Sequence, residues 1–423
     1  MLPLCPLTAC CAWLFAMLVH LLPLRFPSAP GEMRLRRGSQ RWGLFIVELT
    51  TLILVGGTSV LAAAEPAIDF ERARLLLQKE RGGETLSPDE QQYLQRARDA
   101  RRRNMPKGPT AGRLPSIEPR SSVGLVPLCD MSADDQYQGE DGGLYGGGRN
   151  LPPEELRSAA QPLLTQIQPL DAQGQPAAKG RIVLVSISMS NATQEFSRFK
   201  QIADADAAKS SFLTIVDCAQ GGQAMAEWVD PRAAPWTEAT RRLTAAGVSP
   251  QQVQVAWIKL ANKGPRGDLT EHGKKLQRDT LAVLQNARLR FPNLRLAYLG
   301  SRIYAGYAST PLNPEPYAYE SAFVVRWLIR DQMKGDAALN CDPAKGEVKS
   351  PLLLWGPYLW ADGIKGRKSD GLVWNRDDLA GDGTHPSTSG RQKVAALLLD
   401  FFKSDPLART WFTYAVAENS RRD

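Results

Sequence analysis

From Lys179 onward one pattern recurs along the chain, and it decides the fold class. Arg181–Ser188, RIVLVSIS, is a short, largely apolar run rich in β-branched residues, as expected of a strand covered on both faces. A helical segment follows at Thr193–Lys209. The strand signature returns in FLTIVDC (212–218), VQVAWIKL (253–260), LRLAYLG (294–300) and LLLWGPYLW (352–360). Helical segments at 236–246, 269–290, 318–333 and 389–403 separate and follow these runs. Strand and helix alternating in this way predict an α/β fold: a three-layer, flavodoxin-like parallel sheet of about five strands with helices on both faces. Sheets of this kind take their ligands at the carboxyl ends of the strands. The residues just after each strand are therefore where chemistry is expected.

The rest of the 423-residue chain is organised ahead of that domain. Residues 1–64 read as a leader with two apolar runs. In the second, Met33–Arg37 gives a charged start, Leu44–Val60 an apolar stretch and Ala62–Ala64 a small-residue cleavage site, the pattern of a secretory signal whose true start is Met33. The alternatives are an uncleaved anchor or a pair of membrane segments. With cleavage the protein is exported to the periplasm, cell envelope or medium; it meets a membrane only if the leader is retained. Residues 65–103 predict an N-terminal helical hairpin, with a Gly82-Gly83 break and a helix start at Ser87-Pro88-Asp89-Glu90. Residues 104–178 read as a linker and a glycine-rich irregular segment draped over the domain that follows, 179–423.

Charge narrows the partners. The net charge of +8 is spread out, five of the arginines fall in the leader, and only Arg96–Lys107 is otherwise densely basic. A nucleic-acid partner needs a basic face on the folded domain, so none is expected. After the leader three cysteines remain, Cys129, Cys218 and Cys341. Their odd number and wide spacing make neither a disulfide framework nor a zinc pattern, although one bridge beside one free thiol suits an exported protein.

Ser188-Met189-Ser190-Asn191 follows the first strand. A serine there can project its hydroxyl into the cleft while its N–H helps to bind an oxyanion; the plainer alternative is that Ser190 or Asn191 caps the next helix. Gly221-Gly222 follows the second strand and lets the backbone approach a substrate closely. Asn262 follows the third, where a carboxamide can donate to developing negative charge or simply serve a turn. GDGTHPS (381–387) opens the last helical segment. There Asp382, three residues before His385, can accept from the imidazole Nδ1–H and leave Nε2 to take a proton from a serine. The other histidine after the leader, His272, falls in DLTEHGKKLQRD and reads as a solvated helix position.

The order of these blocks resembles the SGNH hydrolases, also called the GDSL esterase/lipase superfamily, over about Lys179–Lys403. Thr384-His385-Pro386 followed by Ser387 and a helix is the most specific match. The resemblance implies Ser190 as nucleophile, Gly222 and Asn262 as oxyanion donors, His385 as base and Asp382 as its partner. It implies hydrolysis of a carboxylic ester with no metal or organic cofactor; export together with aromatic loops points to an acyl or acetyl group on a small-molecule or polysaccharide ester. Two blocks depart from the family pattern: Ser188-Met189 stands where the family has Gly-Asp, and Lys263 follows Asn262 where it has an acid. Ser188 therefore stays open beside Ser190. A catalytically inactive carbohydrate-binding or cell-envelope protein on the same fold also stays open. So does a partner-docking role centred on the 65–103 hairpin. SRIYAGYASTPLNPEPYAYESAF (301–323) and WGPYLWADGIKGRKSDGLVW (355–374) are dense in Tyr and Trp. They predict either aromatic platforms for a carbohydrate or a roof over the core. Asp130, Tyr137 and Asp141 of the glycine-rich segment are within reach of the same cleft.

Overall fold

The computed structural model describes residues 68–69, 72–73, 76–77, 86–103 and 119–413; the leader and most of the first hairpin arm lie outside the described residues. The chain forms two units, Met1–Pro106 and Lys107–Asp423.

In the first unit, helix α1 spans Pro88–Arg103. Its start is a reciprocal capping box: Ser87 Oγ accepts from the Glu90 N–H at 3.3 Å, and Glu90 Oε2 accepts from the Ser87 N–H at 2.9 Å. Leu86, Leu94 and Ala97 bury against Ala73 and Leu76, giving the two stretches a shared apolar seam.

The second unit carries the sheet. Its strands are β1 (Ile182–Ile187), β2 (Leu213–Asp217), β3 (Val253–Lys259), β4 (Leu296–Gly300) and β5 (Leu352–Trp355), all parallel and ordered β2-β1-β3-β4-β5. Helix α2 (Glu154–Leu164) precedes β1. Helices α3 (Ser190–Asp204), α4 (Ala234–Ala245), α5 (Leu269–Arg290), α6 (Tyr317–Met333) and α7 (Thr388–Ser404) follow the successive strands, and the short α8 (Arg409–Phe412) closes the domain. Every residue of β1, β3, β4 and β5 is buried, which explains why these runs show no polar alternation. Helix α3 packs on α7 and α5 on α6. The order is the flavodoxin-like one. The chain leaves β1 for β2 on one side and returns to β3 on the other, so a crevice opens at the carboxyl ends of β1 and β3.

Three expectations need correction here. The domain does not begin at residue 179. Leu128, Met131, Leu156, Ala160 and Ile167, from the stretch read as linker and irregular segment, are part of the same core as the strands. Arg326 of α6 anchors the glycine-rich part. Its Nη1 donates to the carbonyls of Asp141 at 2.7 Å and Gly143 at 3.2 Å, and its Nη2 pairs with Glu140 at 2.6 Å. Gly143 has φ +84°, and a Cβ there would lie 2.3 Å from the Arg149 nitrogen, so only glycine permits this fold-back. Second, α3 starts at Ser190, three residues before the predicted Thr193, and β5 ends at Trp355 with GPYLW irregular. Third, Cys129, Cys218 and Cys341 are all free thiols. Among the described residues no helix is long and apolar enough to cross a membrane.

Candidate active site

The chemistry-bearing residues meet at the crevice. Ser190 is the first residue of α3, directly after β1. Its Oγ lies 2.8 Å from His385 Nε2. His385 Nδ1 lies 2.5 Å from Asp382 Oδ2. An ionised carboxylate only accepts, so Nδ1 carries the proton and Nε2 is left to accept from the serine hydroxyl. Asp382 Oδ1 accepts from the backbone N–H groups of Thr384 and His385, each at 3.0 Å, which closes the turn around the carboxylate. Burial alone would raise the Asp382 pKa. Hydrogen bonds from the His385 amide, the His385 ring and the Thr384 amide outweigh it and hold the pKa below its ordinary value.

The glycine inside GDGTH has a definite task. Gly383 has φ +64°, and a Cβ there would lie 1.8 Å from the Tyr307 carbonyl oxygen. The histidine turn thus lies against the segment that follows β4, closer than any side chain allows. Ser387 then caps α7, its Oγ accepting from the Gly390 N–H.

Neither capping alternative for the β1–α3 turn holds. The N-cap position of α3 is Met189, with no side-chain cap. Asn191 turns instead to the histidine loop, its Nδ2 donating to the Thr384 carbonyl at 2.6 Å, with the carboxamide buried. No acceptor among the described residues takes the amide hydrogens of Ser190, Asn191 and Ala192. The positive end of a 15-residue helix is therefore left open beside the serine hydroxyl. Ser188 is buried, with its hydroxyl donating to the Lys259 carbonyl. Of the two serine hydroxyls, it is that of Ser190 that lies against His385.

Of the two expected oxyanion donors, Gly222 has φ +80°, and its N–H has no acceptor among the described residues. Asn262 is more constrained than a free donor. Its Oδ1 accepts from the Ala226 N–H at 3.0 Å, and its Nδ2 donates to Asp279 of α5 at 2.6 Å. One amide hydrogen remains.

Beneath the serine turn lie charges that the sequence reading did not anticipate. Glu195 of α3 and Lys259 at the end of β3 are fully buried and paired with each other. Burial pushes the Lys259 pKa down to about 8, while the Glu195 charge opposes the fall. Arg302, two residues after β4, is also fully buried, and none of its guanidinium nitrogens has a hydrogen-bond partner among the described residues.

His272 is a further correction. It is buried rather than solvated: its Nε2 pairs with Glu320 of α6, and Tyr317 stands edge-on to the ring at 4.8 Å. Tyr137 OH, at 2.6 Å, and Gln138 Nε2, at 2.7 Å, donate to the same carboxylate. Tyr137 is thus spent on Glu320. Asp130 accepts from the Lys368 N–H at 2.9 Å, and Asp141 pairs with Arg326 at 3.0 Å. All three hold the glycine-rich segment in place. The aromatic loops resolve in favour of the roof: Tyr304, Tyr307, Tyr319, Trp355, Tyr358, Trp360 and Trp374 are buried. Tyr317 alone among the tyrosines and tryptophans of those two loops is partly exposed.

No family model matches the chain, and no curated protein matches it. Among solved structures it is similar to a protein of Bacteroides fragilis named as a candidate acylhydrolase, at 12% identity and TM-score 0.30, covering 59% of this chain and 96% of that one. A second is the periplasmic domain of a lipopolysaccharide acetyltransferase of Salmonella Paratyphi A, at 12% identity and TM-score 0.28, covering 59% and 95%. A third is the salicylyl-acyltransferase SsfX3 of a tetracycline biosynthetic pathway, at 14% identity and TM-score 0.29, covering 55% and 58%. The resemblance to the SGNH hydrolases read from the sequence extends to the architecture, a parallel sheet ordered β2-β1-β3-β4-β5 with serine after β1 and the aspartate–histidine pair ahead of α7.

Proposed function

We propose that this protein is a serine ester hydrolase. One observation carries the proposal: the continuous Ser190–His385–Asp382 chain of hydrogen bonds, 2.8 Å and 2.5 Å long, at the crevice of the sheet. Ser190 Oγ attacks the ester carbonyl as His385 Nε2 takes its proton. Negative charge forms on the carbonyl oxygen, where the Ser190 N–H, the Gly222 N–H and the remaining amide hydrogen of Asn262 would receive it. The Ser190–carbonyl adduct collapses, the alcohol leaves with the proton from His385, and an acyl-Ser190 ester remains. Water, deprotonated by His385, then attacks that ester and releases the acid and free Ser190. Asp382 keeps the imidazole in the required tautomer throughout. An inactive binding protein would be expected to hold Ser190 away from His385, and the 2.8 Å contact speaks against it. Export rests on residues 33–64 of the sequence. The burial of the aromatic loops removes the main support for a carbohydrate platform.

The test is fluorophosphonate labelling of the purified protein. Ser190→Ala and His385→Ala should each abolish labelling, and Ser188→Ala should retain it. Hydrolysis of 4-nitrophenyl acetate should fall by about 10⁴-fold or more in the first two. A folded wild-type protein that does not label would overturn the proposal.

A further inference from the structure

A cavity of about 540 Å³ has Asn262, one of the expected oxyanion donors, in its wall. Its neighbourhood is fixed by packing. Met189, the residue before Ser190, clusters with Ala224 and Ala261, and Ala261 precedes Asn262. The cavity also takes in Arg266, His272, Arg278, Asn313 and Tyr317.

Its polar groups are incompletely used. Two of the four Lys and Arg side chains in the wall are neutralised, Lys263 by Glu227 and Lys275 by Asp279, and the Glu271 carboxylate in the same wall offsets part of the charge that remains. Arg266 and Arg278 have no ion-pair or hydrogen-bond partner among the described residues. Asn313 Nδ2 donates to the Asn262 carbonyl at 3.4 Å, while its Oδ1 is buried without a partner. Glu320 receives donors from Tyr137, Gln138 and His272 Nε2, which marks Nε2 as a protonated nitrogen of His272 and leaves Nδ1 unpartnered in the cavity wall. The two free guanidinium groups can receive an anion, while the unpartnered imidazole nitrogen and the buried amide oxygen can accept from a hydrogen-bond donor elsewhere on the ligand.

We infer that this cavity is a substrate subsite for a carboxylate or phosphate group, so the ester that Ser190 cleaves is anionic. The inference rests on the hydrolase reading above. The anion can sit on the acyl or the alcohol side of the ester. Arg266 and Arg278 are exposed, so each should contribute roughly a fivefold preference, weakened by salt.

Two pairs of esters separate the sides: 4-acetoxybenzoate against its methyl ester, and monophenyl succinate against its methyl ester. After correction for alkaline hydrolysis rates, at least one anionic member should be preferred in kcat/KM by roughly tenfold or more. The pair that shows the preference identifies the side. Arg266→Gln/Arg278→Gln should remove it. No preference in either pair, or a preference that survives the double change, overturns the subsite. Failure of the hydrolase reading would show separately, as absent labelling of Ser190. The cavity is then judged by calorimetric binding of the same four esters to the Ser190→Ala protein. Tighter binding of an anionic member, lost in the added double change, upholds the subsite; equal or absent binding rejects it.

Discussion

Asn191→Ala asks whether the histidine loop is held in register by the helix that carries the nucleophile. Ser190 and Asn191 are neighbours on α3, and each reaches one residue of a neighbouring pair, His385 and Thr384. The Asn191 bond is 2.6 Å long, with Asn191 3% and Thr384 2% exposed. Truncation leaves a carbonyl buried with no donor, at a cost of about 1–3 kcal/mol. For a domain of this size each kcal/mol should lower Tm by about 2–4 °C. A shift of about 1 Å in the loop would cost about 100-fold in turnover. The expected result with 4-nitrophenyl acetate is therefore a kcat lowered by roughly 100-fold with KM little changed, and slower fluorophosphonate labelling. Asn191→Asp should be no better, because a carboxylate cannot donate to the carbonyl. If Tm falls as expected but kcat stays within about twofold of wild type, Asn191 serves stability alone and the positioning role is refuted.

Three further outcomes follow from the same geometry. Asp382→Asn should lower kcat by about 10⁴-fold. Because the folded pKa of Asp382 lies below its unfolded value, its ionised form contributes stability above roughly pH 4 that is lost as pH falls through the folded pKa, so the variant should show a flatter acid limb in Tm against pH. Lys259→Met should destabilise by about 3–5 kcal/mol because it strands the Glu195 charge, and Glu195→Leu/Lys259→Met should recover much of the loss; chemical denaturation of the three proteins checks both. Gly383→Ala should cost about 2 kcal/mol or more from the left-handed backbone and the clash with Tyr307, and lower turnover further than its Tm predicts, as a thermal melt beside a kinetic trace would show.

Local chemistry carried the parts of this molecule that a sequence can show. The strands are legible because burial on both faces removes polar alternation. Asp382 and His385 are legible because their bond spans three residues of one turn. What stayed hidden depends on partners far along the chain. His272 sits in a polar string, yet Glu320 and the Tyr137-Gln138 segment close over it from 48 residues downstream and more than 130 upstream. The Asn191–Thr384 bond joins positions 193 apart, and no spacing rule reaches that far. The start of α3 was misplaced at Thr193 because Met189 carries no capping signal. Tyr and Trp density could not separate platform from roof, since both need aromatic area, and only burial decides.

The bare helix start at Met189 has a consequence for any attempt to harden this protein. A Ser or Asp at that position would satisfy an idle amide and gain about 1 kcal/mol. The same change would set a rival acceptor, and with Asp a negative charge, at the helix end beside the Ser190 N–H that is to meet the reacting oxygen. Stability and turnover therefore favour different residues at one position. A selection for heat resistance alone should drift toward a sturdier, slower protein.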